Sequence, residues 1–179
     1  TLLKTYYFVG GMPEVVRTYV EDKSWQKVRQ IQNDILTAYD SDFGKHAPIN
    51  IVPRISQIWN NIPAQLSREN KKYVYGLVRE GARAKDYELA LSWLEDAGLI
   101  YRVSRIETPR IPLKAYENFD VFKIYLLDVG LLTAMTDLSA QTLLEGDEIF
   151  TEFKGALTEQ YVLEELKNRQ LYIAYWSRD

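Results

Sequence analysis

Hydrophobic residues in the first third of the chain recur every three to four positions, a spacing that predicts amphipathic helices. Pro13 suits the first turn of a short helix that reaches Tyr19, and Ser24 can cap a second, longer helix. The Gly10-Gly11 pair predicts a tight turn or a close backbone approach. The apolar residues predicted to face inward from the second helix are Trp25, Val28, Ile31, Ile35, Leu36, Tyr39 and Phe43.

The helical spacing continues into the middle third. Pro53 can begin a helix that Pro63 ends or kinks, and residues 73–78 favour a second helix, with a strand as the alternative. The clearest helix of the chain spans 82–97, where one face is apolar and Gly98 is placed as the C-terminal cap.

The pattern then changes to alternation. Segments 99–106 and 119–127 alternate in part like strands, and Pro109 and Pro112 interrupt the chain between them. Three helices followed by a two-stranded element are the order of a winged helix-turn-helix.

The last third predicts a short helix over 129–135, an acidic stretch over 145–152, a strong helix over 155–168 and a strand over 171–176. We expect a mainly α (α+β) fold. Because the final strand has no predicted partner and the chain does not begin with Met, the sequence suggests a segment of a longer protein. The residues predicted to face inward from the strong helix are Leu157, Tyr161, Val162 and Leu166.

The amino-acid composition excludes several kinds of functional site. The chain has 179 residues and no cysteine, which excludes disulfides, thiolate metal sites and cysteine nucleophiles. Its single histidine, His46, lies in a predicted polar turn, so histidine clusters for transition metals are excluded as well. Apolar runs fall short of the roughly 20 residues that cross a bilayer, and no signal peptide is recognisable at residue 1. These features predict a cytoplasmic protein with no membrane partner.

Charge is distributed unevenly. Residues 54–115 carry eleven basic and seven acidic groups, whereas residues 116–179 carry five basic and twelve acidic groups. The middle segment is therefore the candidate for duplex DNA, with helix 82–97 in the major groove. The residues predicted to meet phosphates are Arg79, Arg83 and Lys85 at the helix start and Arg102, Arg105, Arg110 and Lys114 on the wing.

A second hypothesis weighs equally. Glu88, Glu95 and Asp96 share the exposed face of the same predicted helix and would repel phosphate. The middle segment is then a protein-docking or regulatory module without nucleic-acid binding. Aromatic residues available for docking are Trp25, Trp59, Trp93 and Tyr101, although their apolar faces favour the core.

Eight short segments, taken in order, are similar to one family. Together they resemble the C-terminal half of predicted AAA+-superfamily ATPases of bacteria and archaea that carry an uncharacterised C-terminal domain, and the resemblance covers essentially the whole chain. The segments are YFVGGMPE (7–14), DFGK (42–45), IPAQL (62–66), ENKK (69–72), GARA (81–84), WLEDAGLI (93–100), YLLDVGLL (125–132) and GALTEQYV (155–162).

The resemblance implies three parts. These are a helical AAA+ lid over 1–49, a winged helix over 50–118 and the truncated start of a PD-(D/E)XK restriction-endonuclease-like domain over 119–179. It also implies an N-terminal ATPase core as partner, ATP and Mg²⁺ in the full-length protein, and possible assembly into homo-oligomers. On the same grounds Gly10, Gly11 and Pro13 border the nucleotide and Glu159 is a metal ligand, although a plain turn is the preferred interpretation of the glycines.

Two departures from the family pattern limit the activity expected here. No GxxxxGK[ST] motif occurs, so the chain lacks the amides and lysine that hold nucleotide phosphates. Of the nuclease carboxylates, Glu159 alone is present. We therefore expect no catalytic residue and no cofactor in this chain, which is not an enzyme by itself.

Overall fold

The computed structural model describes residues 2–68, 72–145 and 151–177, which are mainly helical with one small antiparallel sheet. The expected mainly helical α+β class is confirmed. None of the described helices combines the length and the apolar character needed to cross a bilayer. The elements are α1 Leu2–Val9, α2 Pro13–Asp22, α3 Trp25–His46, α4 Val52–Leu66, α5 Tyr75–Val78, α6 Ala84–Asp96, β1 Ile100–Ile106, a 3-10 turn Leu113–Tyr116, β2 Glu117–Leu126, α7 Val129–Met135, α8 Ala140–Glu145 and α9 Thr151–Asn168.

The first three helices follow the local signals closely. Pro13 begins α2, and the Ser24 hydroxyl caps α3 by accepting the Lys27 backbone N–H at 3.3 Å. His46 was expected in a polar turn but forms the last turn of α3, because α3 continues until the chain becomes extended at Ala47.

The middle helices differ from the prediction at their ends. Helix α4 continues past Pro63 for one further turn. Helix α5 has four residues, because the Tyr73 backbone N–H donates to the Phe122 carbonyl at 2.8 Å and draws the preceding segment towards the sheet. Gly98 follows α6 with φ of +72°, which confirms it as the residue that ends this helix.

The two strands form an antiparallel hairpin. Its register runs from Ile100 opposite Leu126 to Ile106 opposite Glu117, with an irregularity between Ser104 and Arg105. Since β2 begins at Glu117, the predicted domain boundary between 118 and 119 falls inside the hairpin.

The C-terminal elements differ from the prediction in two ways. Val162 is 46% exposed, so the prediction that it faces inward was wrong; Gln160 and Glu164 occupy the buried face of α9 together with Leu163. The predicted strand 171–176 is reduced to a single bridge at Tyr175, because the segment touches the edge of β1 at one position. Residues 146–150 of the predicted acidic stretch lie outside the described residues.

One hydrophobic core joins residues from α1, α3, α4, α6, the hairpin, α7 and α9. Helix α7 is buried along most of its length and contacts α1, α3, α4, β2 and α9. The hairpin and the helices before it are thereby fixed against the rest of the molecule.

Candidate functional site

Helices α4, α5 and α6 lie together with the hairpin. Helix α6 packs on α4 and is followed directly by β1, while the extended segment before α5 hydrogen-bonds to β2. The Tyr73 ring stacks on Phe122 with 5.2 Å between ring centroids, which fixes that segment to the sheet. The order along the chain is therefore helix, extended segment, helix, helix, strand, strand.

Three cations project from the start of α6. Arg79 follows α5, Arg83 is the extended residue immediately before α6, and Lys85 lies in its first turn. All three are exposed, and within the described residues none of their side chains forms a hydrogen bond or an ion pair. Gly81 makes the turn between them possible with φ of +76°. This end of α6 thus presents unpaired positive charge, which the helix dipole reinforces.

A cleft of about 430 Å³ lies next to Arg79, between the start of α4 and the turn before α6. Arg54 and Arg79 line it, but so do the carboxylates of Glu80 and Asp86. Because the two signs balance, the cleft adds no net positive charge of its own. Over residues 79–86 as a whole, the three cations outnumber the two carboxylates by one.

Arg102 does not occupy the exposed position that a phosphate contact requires. Its side chain is 16% exposed and lies against α6, with Nη1 2.6 Å from Glu88 Oε1 and Nε 3.3 Å from Glu95 Oε2. The second contact is an ion pair without hydrogen-bonding geometry. The guanidinium also lies 4.8 Å from the centre of the Phe122 ring. Arg102 therefore pairs with two of the three carboxylates predicted for the exposed face of this helix, Glu88 and Glu95, and offsets part of their negative charge.

Glu88 is held from a second side. The Tyr75 hydroxyl donates to its other carboxylate oxygen at 3.2 Å. Burial raises the pKa of Tyr75, and the Glu88 carboxylate raises it further, so the tyrosine remains a neutral donor. Each oxygen of the Glu88 carboxylate therefore has a partner within the chain, Arg102 on one and Tyr75 on the other.

The wing cations are placed in three different ways. The Arg105 guanidinium is 19% exposed and pairs with Glu107 at 3.4 Å. The hydrogen bond that Asn118 donates to Glu107 holds the pKa of Glu107 below its usual value, and the positive charge of Arg105 lowers it as well. Arg110 is exposed, and the Lys114 ammonium lies 5.2 Å from the centre of the Tyr172 ring.

The glycine turn before α2 is filled by protein. Gly10 has φ of +73°, and a Cβ at this position would overlap the Asp128 carboxylate. Asp128 also accepts the Gly11 N–H at 2.6 Å and caps α7 by accepting the Leu131 N–H at 2.9 Å. Pro13 begins α2 and is exposed. The close approach predicted for the glycines is confirmed, and its partner is a buried aspartate that sequence reasoning missed.

Asp128 carries a conflict between burial and hydrogen bonding. Burial raises the pKa of its carboxyl, whereas backbone N–H groups, led by that of Gly11, lower it. The readable signal in the sequence was an aspartate placed directly before a helix, which is a preferred capping residue.

Glu159 lies among a tyrosine and a lysine. Its carboxylate accepts the Tyr125 hydroxyl at 2.9 Å and lies 3.4 Å from the Lys123 ammonium. The three line a mainly apolar cleft of about 270 Å³ between the hairpin and α9. Among the described residues, no group of three or more histidine or acidic side chains is close enough to hold a metal ion.

Gln160, which the sequence reasoning missed, attaches α9 to the hairpin. The Gln160 amide accepts the Leu126 N–H at 3.0 Å and donates to the Leu126 carbonyl at 2.6 Å, as a neighbouring strand would do. Gln160 also donates to Glu164 at 2.8 Å. Burial, together with the nearby Asp128 carboxylate, raises the pKa of Glu164 to about 8, although the hydrogen bond from Gln160 lowers it.

Comparison with known proteins gives a family and no activity. The family described as "Domain of unknown function (DUF8612)" matches residues 1–142 of the chain. The chain belongs to this family. The matched part of the chain contains α1 to α7. It therefore includes the cations at the start of α6, the hairpin and the contact between Gly10 and Asp128. No curated protein and no solved structure matches the chain.

Proposed function

We propose that residues 52–126 act as a winged helix-turn-helix that binds duplex DNA. The start of α6 would meet the backbone phosphates, and the wing after β1 would make a second contact. The carrying observation is the cluster of three exposed, unpaired cations, Arg79, Arg83 and Lys85, at one helix end. Helix starts favour phosphate through both their free N–H groups and their dipole.

The internal pairing of Arg102 strengthens the proposal. Glu88 and Glu95 oppose DNA binding by charge alone, yet Arg102 contacts both. One cation cannot cancel two full charges, but its position between them lowers the negative field at the helix surface. The cations at the start of α6 are then opposed by a weaker negative field from the rest of the helix.

Salt-dependent binding of a labelled duplex tests this function. Each phosphate contact contributes a slope of about −0.9 to the dependence of log K on log salt. We expect the triple variant Arg79→Gln, Arg83→Gln, Lys85→Gln to lose about 2 to 3 units of that slope. A matched triple with the same change of net charge replaces the exposed residues Arg17, Lys154 and Arg169 with Gln and should keep the slope.

Two results would contradict the proposal. The first is an equal loss in both triples, which indicates a response to net charge rather than to this surface. The second is the absence of any binding at low salt, where non-specific DNA affinity is strongest.

A protein-docking function is the second candidate, and exposed apolar side chains favour it. Leu89 on the outer face of α6 is 69% exposed, Ile111 on the wing is 92% exposed, and Phe119 near the start of β2 is 70% exposed. Exposed aliphatic and aromatic groups of this kind are used in protein interfaces. If this region docks on the N-terminal ATPase core, Leu89→Ser should abolish that association and leave duplex binding unchanged.

We also propose, from the eight-segment resemblance, that this region follows the motor core of an AAA+ ATPase that uses ATP and Mg²⁺. Its partners would be that core and other copies of the same protein. The full coding sequence tests this: a GxxxxGK[ST] motif upstream in the same chain supports the proposal, and its absence contradicts it.

A further inference from the structure

Residues 171–175, here called the strap, follow α9 and meet the edge of β1 at Tyr175. The Tyr175 N–H donates to the Ser104 carbonyl at 3.1 Å, and the Ile106 N–H donates to the Tyr175 carbonyl at 2.9 Å. The strap is parallel to β1 at this bridge. These two hydrogen bonds attach the backbone of the strap to the hairpin.

The strap makes a second attachment at the base of the wing. The Tyr172 hydroxyl donates to Glu117 Oε2 at 2.7 Å, and the Lys114 ammonium lies over the Tyr172 ring. Lys114 is one of the cations predicted to meet phosphate. Its ammonium therefore has an aromatic partner within the chain at the position where DNA would lie.

The attachment of the strap is light at its first two residues. Leu171 and Tyr172 are 51% and 41% exposed, whereas Ile173 and Tyr175 pack against the hydrophobic core. Segments held by few hydrogen bonds and little buried apolar area open locally at low free-energy cost. A phosphate contact, which pairs a full charge with the ammonium, is able to compete with a ring face.

We propose that the strap is an intrachain competitor of DNA at the wing: in its seated position it holds Lys114, and its release makes Lys114 available to a phosphate. This regulation rests on the DNA-binding function proposed above. It divides the interface into a constitutive part at the start of α6 and a gated part at the wing.

A double-mutant cycle tests the gate. Tyr172→Ala removes both the ring and the bond to Glu117, and it should tighten duplex binding about fivefold at about 0.15 M salt and steepen the salt slope by about 1. Lys114→Gln should then cost about fivefold in the Tyr172→Ala protein and much less in the wild type. Leu171→Ala is the matched control in the same segment and should change neither quantity.

Amide exchange provides the second measurement. Saturating duplex should accelerate exchange of the Tyr175 amide, since DNA seats where the strap was. Equal costs of Lys114→Gln in both backgrounds, or unchanged Tyr175 exchange with bound DNA, would overturn the gate while leaving DNA binding intact. If neither the wild type nor Tyr172→Ala binds duplex at low salt, the proposed function itself fails.

Discussion

Replacing Arg102 with Ala tests the electrostatic arrangement on α6. The substitution removes ion pairs to Glu88 and Glu95, the contact with the Phe122 ring and the packing of the side-chain stem. The two carboxylate side chains are 47% and 42% exposed, so solvent reduces each ion pair to about 0.5 kcal/mol. The ring contact adds about 0.5 to 1 kcal/mol, and the lost stem packing about 1 kcal/mol. We expect the free energy of unfolding to fall by about 2 to 3 kcal/mol.

Urea denaturation followed by tryptophan fluorescence measures this loss. Arg102→Met is the matched control, because it keeps the stem and should lose about 1 to 2 kcal/mol. A loss below about 0.5 kcal/mol for Arg102→Ala would refute the reasoning, since it would place the side chain in solvent rather than between the carboxylates.

The same residue separates two ways of supporting DNA binding. If Arg102 acts by neutralising Glu88 and Glu95, then Arg102→Met weakens duplex binding and the added changes Glu88→Gln and Glu95→Gln restore it. If Arg102 contacts phosphate directly, the glutamines give no rescue beyond their effect in the wild-type background. Binding of all four combinations at one salt concentration decides between the two.

Three further predictions concern stability. Gly10→Ala should strongly destabilise the folded protein, because both the positive φ of Gly10 and the neighbouring Asp128 carboxylate forbid a Cβ. Gly44→Ala is the control, since Gly44 lies within α3 with open space around it and the alanine should stabilise the protein by about 0.5 to 1 kcal/mol. Thermal unfolding of the two variants compares these effects. Glu164 has its pKa raised to about 8 in the folded state, so the folded protein binds the extra proton and stability falls as pH rises from about 4.5 to about 8. Glu164→Gln should flatten that part of the pH profile of denaturant midpoints, and an unchanged profile would contradict the burial argument. Gln160→Ala should cost about 2 to 4 kcal/mol in urea titrations, since it leaves the buried N–H and carbonyl of Leu126 unpaired; a loss under about 1 kcal/mol would contradict this.

Local signals predicted the elements whose structure depends on local chemistry. Ser24 caps α3 through its own hydroxyl, and Gly98 ends α6 because only glycine adopts positive φ without strain. The alternating Phe122, Ile124 and Leu126 face of β2 is buried, as its period indicated. These features need no knowledge of distant residues.

Elements that depend on distant partners were predicted less well. Polar residues on the buried face of α9 made its inward side unreadable from hydrophobicity, since Gln160 is buried for its hydrogen bonds to Leu126. The helix predicted over 73–78 wrongly included Tyr73. Its backbone hydrogen bond to Phe122 joins residues far apart in sequence, so local spacing could not indicate it. The extended strap could not be distinguished from a full strand, because its pairing at Tyr175 is a tertiary property.

The candidate site shows the same division. The positions of Arg79, Arg83 and Lys85 at the start of α6 followed from the predicted helix. The contact of Arg102 with Glu88 and Glu95 did not follow from it, because that contact requires β1 to pack against α6. A signal was nevertheless present: Glu88 and Glu95 are seven residues apart, which places them two turns apart on one helix face, where a single arginine can reach both.

The most direct test of the central claim is a map of backbone amide shifts as an unlabelled duplex is added to the isotopically labelled protein at low salt. We predict concentrated shifts over residues 79–86 and the wing, 107–116, with little change around Gly10 and Asp128. Shifts spread evenly over exposed lysines and arginines, or absent from the start of α6, would contradict it.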